Sequence, residues 1–356
     1  MKDRVVVAMS GGVDSSVAAY LLVREGYEVI GVTMDLIESS CRIKRPDTCC
    51  SLAAFEDAMK VAEIIGISHR ILNLKKEFEQ KVIGPFLEEY LTGRTPNPCV
   101  VCNKEIKFGL LLNYAKELGA DLLATGHYAR IERTDSGYQL KKAVDLSRDQ
   151  SYFLYCLTPK QLSSALMPLG SYTKQEVRQI AKGLKLPVAT KPESREICFI
   201  PDNNYKRFLA GRASDRLRPG PIIDKKGNVL GKHQGISSYT IGQRKGLGIA
   251  LGKPQYVTEI DKDKNVLIVG DKKDLSQSEL TAEDVNWVSS KEPTSDIQAL
   301  AKIRYLHQEA PAIITPLSDG NVQVKFKKPQ QAITPGQAVV FYQDDVVLGG
   351  GWIKKN

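Results

Sequence analysis

At 356 residues, with an ordinary apolar share, the chain has room for two or three domains and ample apolar burial. No apolar run approaches the ~18 residues of a membrane span, and a strand opens almost at the first residue, so neither a membrane partner nor a secretory or transit leader is expected. Seven irregularly spaced cysteines without an export signal point to a reducing, cytoplasmic setting, and 50 Lys+Arg against 41 Asp+Glu, net +9, suits a polyanionic partner without requiring one.

Arg4–Met9 reads as a strand, Ser15–Glu25 as a helix stopped by Gly26, and Glu28–Met34 as a second strand. A helix is predicted over Ser51–Ile65, with Leu52, Phe55, Met59 and Ala62 along one face and Gly66 as its stop. His69–Leu74 is strand-like, Lys76–Leu91 and Phe108–Leu118 are helical, and Asp121–Thr125 is a buried strand. Alternating strands and helices imply an α/β fold, a doubly wound parallel sheet covered on both faces. Ligands in such folds bind at the C-terminal ends of the strands, where the Ser10 loop, Met34 and Gly126-His127 would lie.

Past Ile200 the texture changes. Between Tyr205 and Lys232 the chain carries Lys206, Arg207, Arg212, Arg216, Arg218, Lys225, Lys226 and Lys232 against only Asp215 and Asp224. Short alternating stretches with turns such as Lys226-Gly227-Asn228 and Asp319-Gly320-Asn321 run from there to the C-terminus. The expected division is a catalytic domain over 1–203, a small basic domain over 204–272 and an all-β, barrel-like domain over 273–356.

The first chemical motif is Ala8-Met9-Ser10-Gly11-Gly12-Val13-Asp14-Ser15-Ser16, between a strand and a helix. Two glycines let the backbone approach an anion, and the first N–H groups of the helix point at it. Asp14 is placed to hold a magnesium ion, and Ser10, Ser15 and Ser16 offer hydroxyls. Neither the lysine-bearing nucleotide loop nor the dinucleotide fingerprint fits the spacing. A plain glycine turn with a serine cap is the alternative, and the strand–loop–helix context weighs against it.

The second is Thr95-Pro96-Asn97-Pro98-Cys99-Val100-Val101-Cys102, continuing to Gly109. Two prolines stiffen a loop, and a C-x-x-C pair stands just ahead of a predicted helix. The helix dipole and Lys104 would favour thiolates there, and only the thiolate attacks or ligates. Half a zinc site and two inert thiols remain open, although no second C-x-x-C exists to complete a four-cysteine zinc site. The third motif, Ser194–Pro201, holds Cys198 beside Arg195 and Glu196.

The loop Ser10–Ser16 resembles the pyrophosphate loop of ATP pyrophosphatases, which split ATP between its α and β phosphates. Together with Gly126–Arg130 (GHYAR), Arg148–Tyr155 (RDQSYFLY), Ile241–Ile249 (IGQRKGLGI) and Leu348–Ile353 (LGGGWI), the three motifs closely resemble the tRNA-specific 2-thiouridylase family along essentially the whole chain. The resemblance implies ATP-dependent 2-thiolation of the wobble uridine of tRNA, with release of AMP and pyrophosphate. It implies an ATP site at Ala8–Ser15, Met34 and Gly126, a nucleophilic Cys102, and a sulfur-carrying Cys198 that receives a persulfide from a sulfur carrier or a cysteine desulfurase. It also implies tRNA contacts at Asn97, Pro98, Cys99, His127, Arg148, Asp149, Gln150, Arg304, Tyr305 and Gln337. The basic run from Lys206 to Lys232 would grip the phosphates of the anticodon arm.

One position departs from that pattern, since many relatives have aspartate where Cys99 stands. Two incompatible chemistries therefore fit the same thiols. In one, Cys198 delivers persulfide sulfur and Cys102 releases it by forming a disulfide. In the other, Cys99, Cys102 and Cys198 ligate a [4Fe-4S] cluster whose open iron carries hydrosulfide. Outside this family, an ATP pyrophosphatase making a small amide and a non-catalytic tRNA or iron–sulfur binding protein are the competing readings.

Overall fold

The computed structural model describes residues 3–38, 52–192, 197–200, 202–249, 252–288 and 292–355. Cys41, Cys49, Cys50 and the Ser194-Arg195-Glu196 half of the third motif lie outside the described residues.

The first strand, Arg4–Ala8, is a β-branched run whose three valines are wholly buried, as befits the centre of a parallel sheet covered on both faces. Five parallel strands lie in the order Ser68–Asn73, Glu28–Asp35, Arg4–Ala8, Leu122–Ala124, Ala165–Leu166. The chain moves outward on one side of Arg4–Ala8 and then returns to its other side. Strand order thus reverses between Arg4–Ala8 and Leu122–Ala124, and the crevice at their C-terminal ends is where such sheets bind ligands. The helix Val13–Arg24 covers one face through Val13, Val17, Ala18 and Leu21, joined there by Val177 and Ala181 of the helix Lys174–Gly183. On the other face Phe108, Leu111, Leu112 and Ala115 pack against Val6 and Val32.

Two helical expectations are corrected. The helix expected from Phe108 begins at Pro98, so Cys99 and Cys102 lie within it. Pro98 supplies the preset backbone of a first helical position and has no N–H to satisfy. From Cys102 to Leu111 the turns are widened to the π form, and a Cβ on Gly109 would stand 3.0 Å from the Lys104 carbonyl. The stretch expected as one helix over Lys76–Leu91 likewise contains a π segment, Glu79–Ile83, just ahead of Gly84-Pro85, where proline removes a donor.

The central region opens with the helix Tyr205–Ala213. It continues as a four-stranded sheet ordered Tyr256–Asp261, Val266–Gly270, Gly220–Asp224, Val229–His233 around Ile222, Val257, Leu267 and Val269. The C-terminal region is a closed barrel. Its strands run Ser276–Trp287, Val322–Gln331, Ala310–Pro316, Ile297–Lys302, Ala338–Gln343, Val346–Ile353, and the last pairs back onto the first. Strict alternation in Val322–Phe326 sends Val322, Val324 and Phe326 inward. An element absent from the sequence reading ties this barrel to the catalytic domain. The hairpin Ala129–Thr134/Gly137–Lys142 adds to the barrel edge, with Lys141 opposite Val346 and the Lys142 N–H donated to the Asp345 carbonyl at 2.8 Å.

Candidate functional site

Backbone geometry builds the phosphate loop. Gly11 has φ +66°, and a Cβ there would stand 2.2 Å from the Ala54 carbonyl oxygen, so only glycine fits. Gly12 is the N-cap of Val13–Arg24, and no side chain caps that helix. Its first N–H groups are therefore left for a ligand, as an anion site requires. The serines serve the loop itself. Ser15 Oγ accepts from the Ser10 N–H at 3.1 Å and donates to the Gly12 carbonyl at 3.2 Å. Ser16 Oγ donates to the same carbonyl at 2.9 Å. Of the hydroxyls expected to meet phosphate, those of Ser15 and Ser16 are thus committed to loop closure.

The neighbouring strands press the loop into place. Thr33 Oγ1 donates to the Met9 carbonyl at 2.9 Å and lies 2.8 Å from His69 Nε2. A Cβ on Gly126 would stand 2.7 Å from the Ser15 nitrogen, so the turn after Leu122–Ala124 can pass the loop only as glycine. Asp14 accepts from Lys174 Nζ at 2.7 and 2.8 Å and from the Tyr128 hydroxyl at 2.8 Å. Lys191 Nζ donates to the Gly11 carbonyl at 3.0 Å and pairs with Asp57 at 2.7 Å. Both lysines were missed in the sequence, because each arrives from a helix or loop far along the chain.

His127 is buried beside this loop. Lys107 Nζ lies 3.3 Å from Nε2, which assigns the ring proton to Nδ1, 2.8 Å from Thr125 Oγ1. Burial first, and the Lys107 ammonium second, hold this imidazole well below its ordinary range, so it is neutral near pH 7. Lys107 rises from the same π-wound segment as Cys102.

The thiols divide by environment. Cys102 and Cys198 are half-buried on the rim of one apolar cluster, formed by Leu36, Leu74, Phe78, Ile106, Phe199 and Ile200, against which Met34 also packs. Cys99, in the first turn of its helix, is exposed. Cys156 is buried, and burial pushes its thiol up to about 12, as for an inert packing group. Among the described residues no three His, Cys, Asp or Glu side chains are gathered to hold a metal ion. The expected cluster of Cys99, Cys102 and Cys198 thus gains no support from the described residues.

The residues assigned to tRNA fall into two groups. Around the loop 94–97, Asn97 bonds the Tyr152 hydroxyl, and Gln337 of the barrel donates to the Thr95 and Pro96 carbonyls at 2.9 and 3.3 Å. Arg94 pairs with Glu283 of the barrel at 3.0 Å, and Tyr305 packs on Phe153 with ring centroids 4.4 Å apart. Pro98 is buried, and Arg304 reaches the Gln331 and Ala332 carbonyls at 3.4 Å. The second group shapes the turn 145–151. Asp149 is buried and accepts from the Ala143 and Ser151 N–H groups and the Ser151 hydroxyl, and Gln150 accepts from the Tyr128 N–H at 3.0 Å. Arg148 donates its N–H to the Asp145 carbonyl at 3.0 Å.

The basic run is partly spent within the chain. Arg212 pairs with Glu79, Arg216 with Glu88 at 2.6 Å and Arg207 with Asp202 at 2.8 Å. The first two tie the central region to the catalytic domain, whereas Arg218 and Lys232 are exposed. No helix among the described residues is long and apolar enough to cross a membrane.

Three family models match the chain. They are the tRNA methyl transferase HUP domain over residues 3–202, the tRNA methyl transferase PRC-barrel domain over 206–271 and the aminomethyltransferase beta-barrel domain over 277–353. The chain is 54% identical over 359 residues to the tRNA-specific 2-thiouridylase MnmA of Halothermothrix orenii, covering 99% of both chains. It is equally 54% identical to MnmA 1 of Caldanaerobacter subterraneus subsp. tengcongensis, covering 100% of this chain and 99% of that one. A 4-thiouridine synthetase in an RNA complex with bound ATP aligns with TM-score 0.36 and 19% identity over 60% of this chain and 51% of that one. NMN synthetase from Francisella tularensis aligns with TM-score 0.35 and 16% identity over 60% and 86%. By the full-length identity and the domain match, the chain belongs to the tRNA-specific 2-thiouridylase family.

Proposed function

We propose that this protein thiolates the wobble uridine of tRNA at C2, using ATP to activate the oxygen and Cys198 to deliver the sulfur. The observation that carries the reading is the shared rim. Cys102 and Cys198, distant in sequence, flank the cluster that holds Met34, at the end of the strand beside the phosphate loop. Some of the matching family models carry a methyltransferase description, but methyl transfer needs neither a phosphate loop nor two thiols beside it. Cysteine chemistry therefore favours thiolation.

The residues fit ATP. The loop Ala8–Ser15, with Gly126 against it, leaves helix N–H groups for the β and γ phosphates, and magnesium, held by Asp14, would neutralise their charge. The uridine C2 oxygen attacks the α phosphorus and pyrophosphate departs, which converts a poor leaving group into AMP. A persulfide on Cys198 is more acidic than a thiol, and its terminal sulfur attacks C2 as the C2–O bond breaks and AMP leaves. The Cys102 thiolate then attacks Cys198 Sγ. The sulfur–sulfur bond breaks, both electrons stay with the sulfur on uridine, and a Cys102–Cys198 disulfide remains for a dithiol to reduce. If the Cys102 thiolate attacks Cys198 Sγ first, the same disulfide forms and hydrosulfide leaves, which then attacks C2 and displaces AMP to reach the same product.

Asn97, at the end of the loop clasped by Gln337 and Arg94, would meet the target base together with Pro98 and Cys99 of the helical turn that follows. Arg148, Gln150, Arg304, Tyr305 and neutral His127 line the approach, and Asp149 acts through the turn it orders. Arg218 and Lys232 are exposed cations for anticodon-arm phosphates. A sulfur carrier or cysteine desulfurase loads Cys198, and the setting is cytoplasmic. Iron-free protein incubated with ATP, magnesium, a persulfide donor and unmodified tRNA should form AMP and 2-thiouridine, and Cys99→Ala should retain activity. An absolute requirement for iron, with loss of activity in Cys99→Ala, would replace the persulfide route by the cluster.

A further inference from the structure

The loop lacks the lysine that commonly accompanies phosphate-binding glycines, yet a buried ammonium stands against it. Lys174 is 8% exposed, and its Nζ lies 2.7 and 2.8 Å from the two carboxylate oxygens of Asp14 and 5.7 Å over the ring of Tyr128. Lys174 opens the helix Lys174–Gly183, a position where the helix dipole disfavours a cation. That helix needs nothing from it, because Thr173 and Glu176 already complete a reciprocal cap. Packing of Val177 and Ala181 on Val13 and Val17 fixes the ammonium beside the uncapped start of Val13–Arg24. Lys191, the other cation at the loop, is committed to the Gly11 carbonyl and Asp57.

We propose that Lys174 is a pyrophosphate-binding residue held in reserve by Asp14. Without nucleotide the pair neutralises itself. With nucleotide, Asp14 turns to the magnesium ion and Lys174 to the departing β and γ phosphates, so the loop gains a cation only as it gains an anion. This assignment rests on the nucleotide reading above and adds to it the source of the missing positive charge. It also explains the Tyr128 hydroxyl on Asp14 Oδ1, which would keep the carboxylate aimed while its partner changes.

Calorimetry on the full-length protein tests it, with inorganic pyrophosphate and AMP as probes in a metal chelator. Lys174→Met should weaken pyrophosphate binding about 10- to 100-fold, the loss of one charge-assisted contact, and leave AMP within about twofold. Lys174→Arg should recover most of the loss. Asp14→Asn frees the ammonium and removes a repelling charge, so metal-free pyrophosphate should bind about threefold or more tightly than to wild type. That variant is isosteric and decides the matter even if Lys174→Met does not fold. A purely structural pair predicts unchanged or weaker pyrophosphate binding in Asp14→Asn and parallel losses for AMP and pyrophosphate in Lys174→Met; either result overturns the assignment. Failure of wild type to bind ATP with magnesium would instead overturn the nucleotide reading itself.

Discussion

Two helices lie side by side behind the phosphate loop and begin in opposite ways. Lys174–Gly183 starts with a complete cap, Thr173 accepting from the Glu176 N–H while Glu176 answers the Thr173 N–H. Val13–Arg24 starts at a bare glycine. A side-chain cap on an exposed helix contributes about 1 kcal/mol, so a helix at the centre of the domain that omits one gives up stability. The capped start serves the fold and carries a lysine to the loop. The bare start leaves its N–H groups for a ligand. Uncapped donors at a strand–helix junction, with a capped neighbour as reference, are a better sign of a site than the glycines alone.

Changes to the bare start should strike function harder than stability. Asp14→Ala should reduce AMP formation by about 10²–10³-fold, since it removes the ligand of the charge-neutralising cation, and should lower the unfolding midpoint only through the Lys174 ammonium it leaves unpaired. Assays of AMP release and of urea unfolding on the same preparation check both halves. Gly12→Asp sharpens the contrast, because a Cβ there meets only Ser10 Oγ at 3.4 Å and the backbone φ is −105°. Its carboxylate should cap the helix, raise stability by about 0.5 kcal/mol and exclude ATP, weakening its binding by about 100-fold or more. The capped start should respond in the other sense. Thr173→Ala should cost about 1 kcal/mol of stability in urea unfolding while changing ATP affinity severalfold at most.

The clasped loop 94–97 offers a milder comparison with the phosphate loop. Gln337→Ala removes two contacts to it from the barrel. It should lower kcat/KM for tRNA about tenfold and leave ATP binding intact, which separate titrations of the two substrates would show.

Legibility in the sequence followed the range of the interactions. Val5-Val6-Val7 and the glycines after them declare a strand and a turn within a dozen residues, and the parallel sheet follows from repeating that pattern. Cys102 and Cys198 stood out only in the company of other motifs, and their common rim required the fold. Lys174 gave no sign, because its meaning comes from packing against Val13 and Val17 across 160 positions from Asp14. The hairpin Ala129–Lys142 had a visible turn at Asp135-Ser136-Gly137, but no local feature says that its edge completes a barrel strand from the far end of the chain. Charge runs were legible only in part for a related reason. Arg212 and Arg216 belong to the run expected to grip RNA, and each also pairs with a carboxylate of the N-terminal domain, Glu79 and Glu88.

The central claim is that one sulfur atom passes from Cys198 to uridine while one ATP is spent, without iron. A single turnover measures it directly. Iron-free protein carrying an isotopically labelled persulfide on Cys198 is mixed with ATP, magnesium and unmodified tRNA, then quenched and digested for mass spectrometry. The account predicts labelled 2-thiouridine and AMP in equal amounts, with a Cys102–Cys198 disulfide in the spent protein by either order of attack. Unlabelled 2-thiouridine, or AMP without any thiolated base, would contradict it.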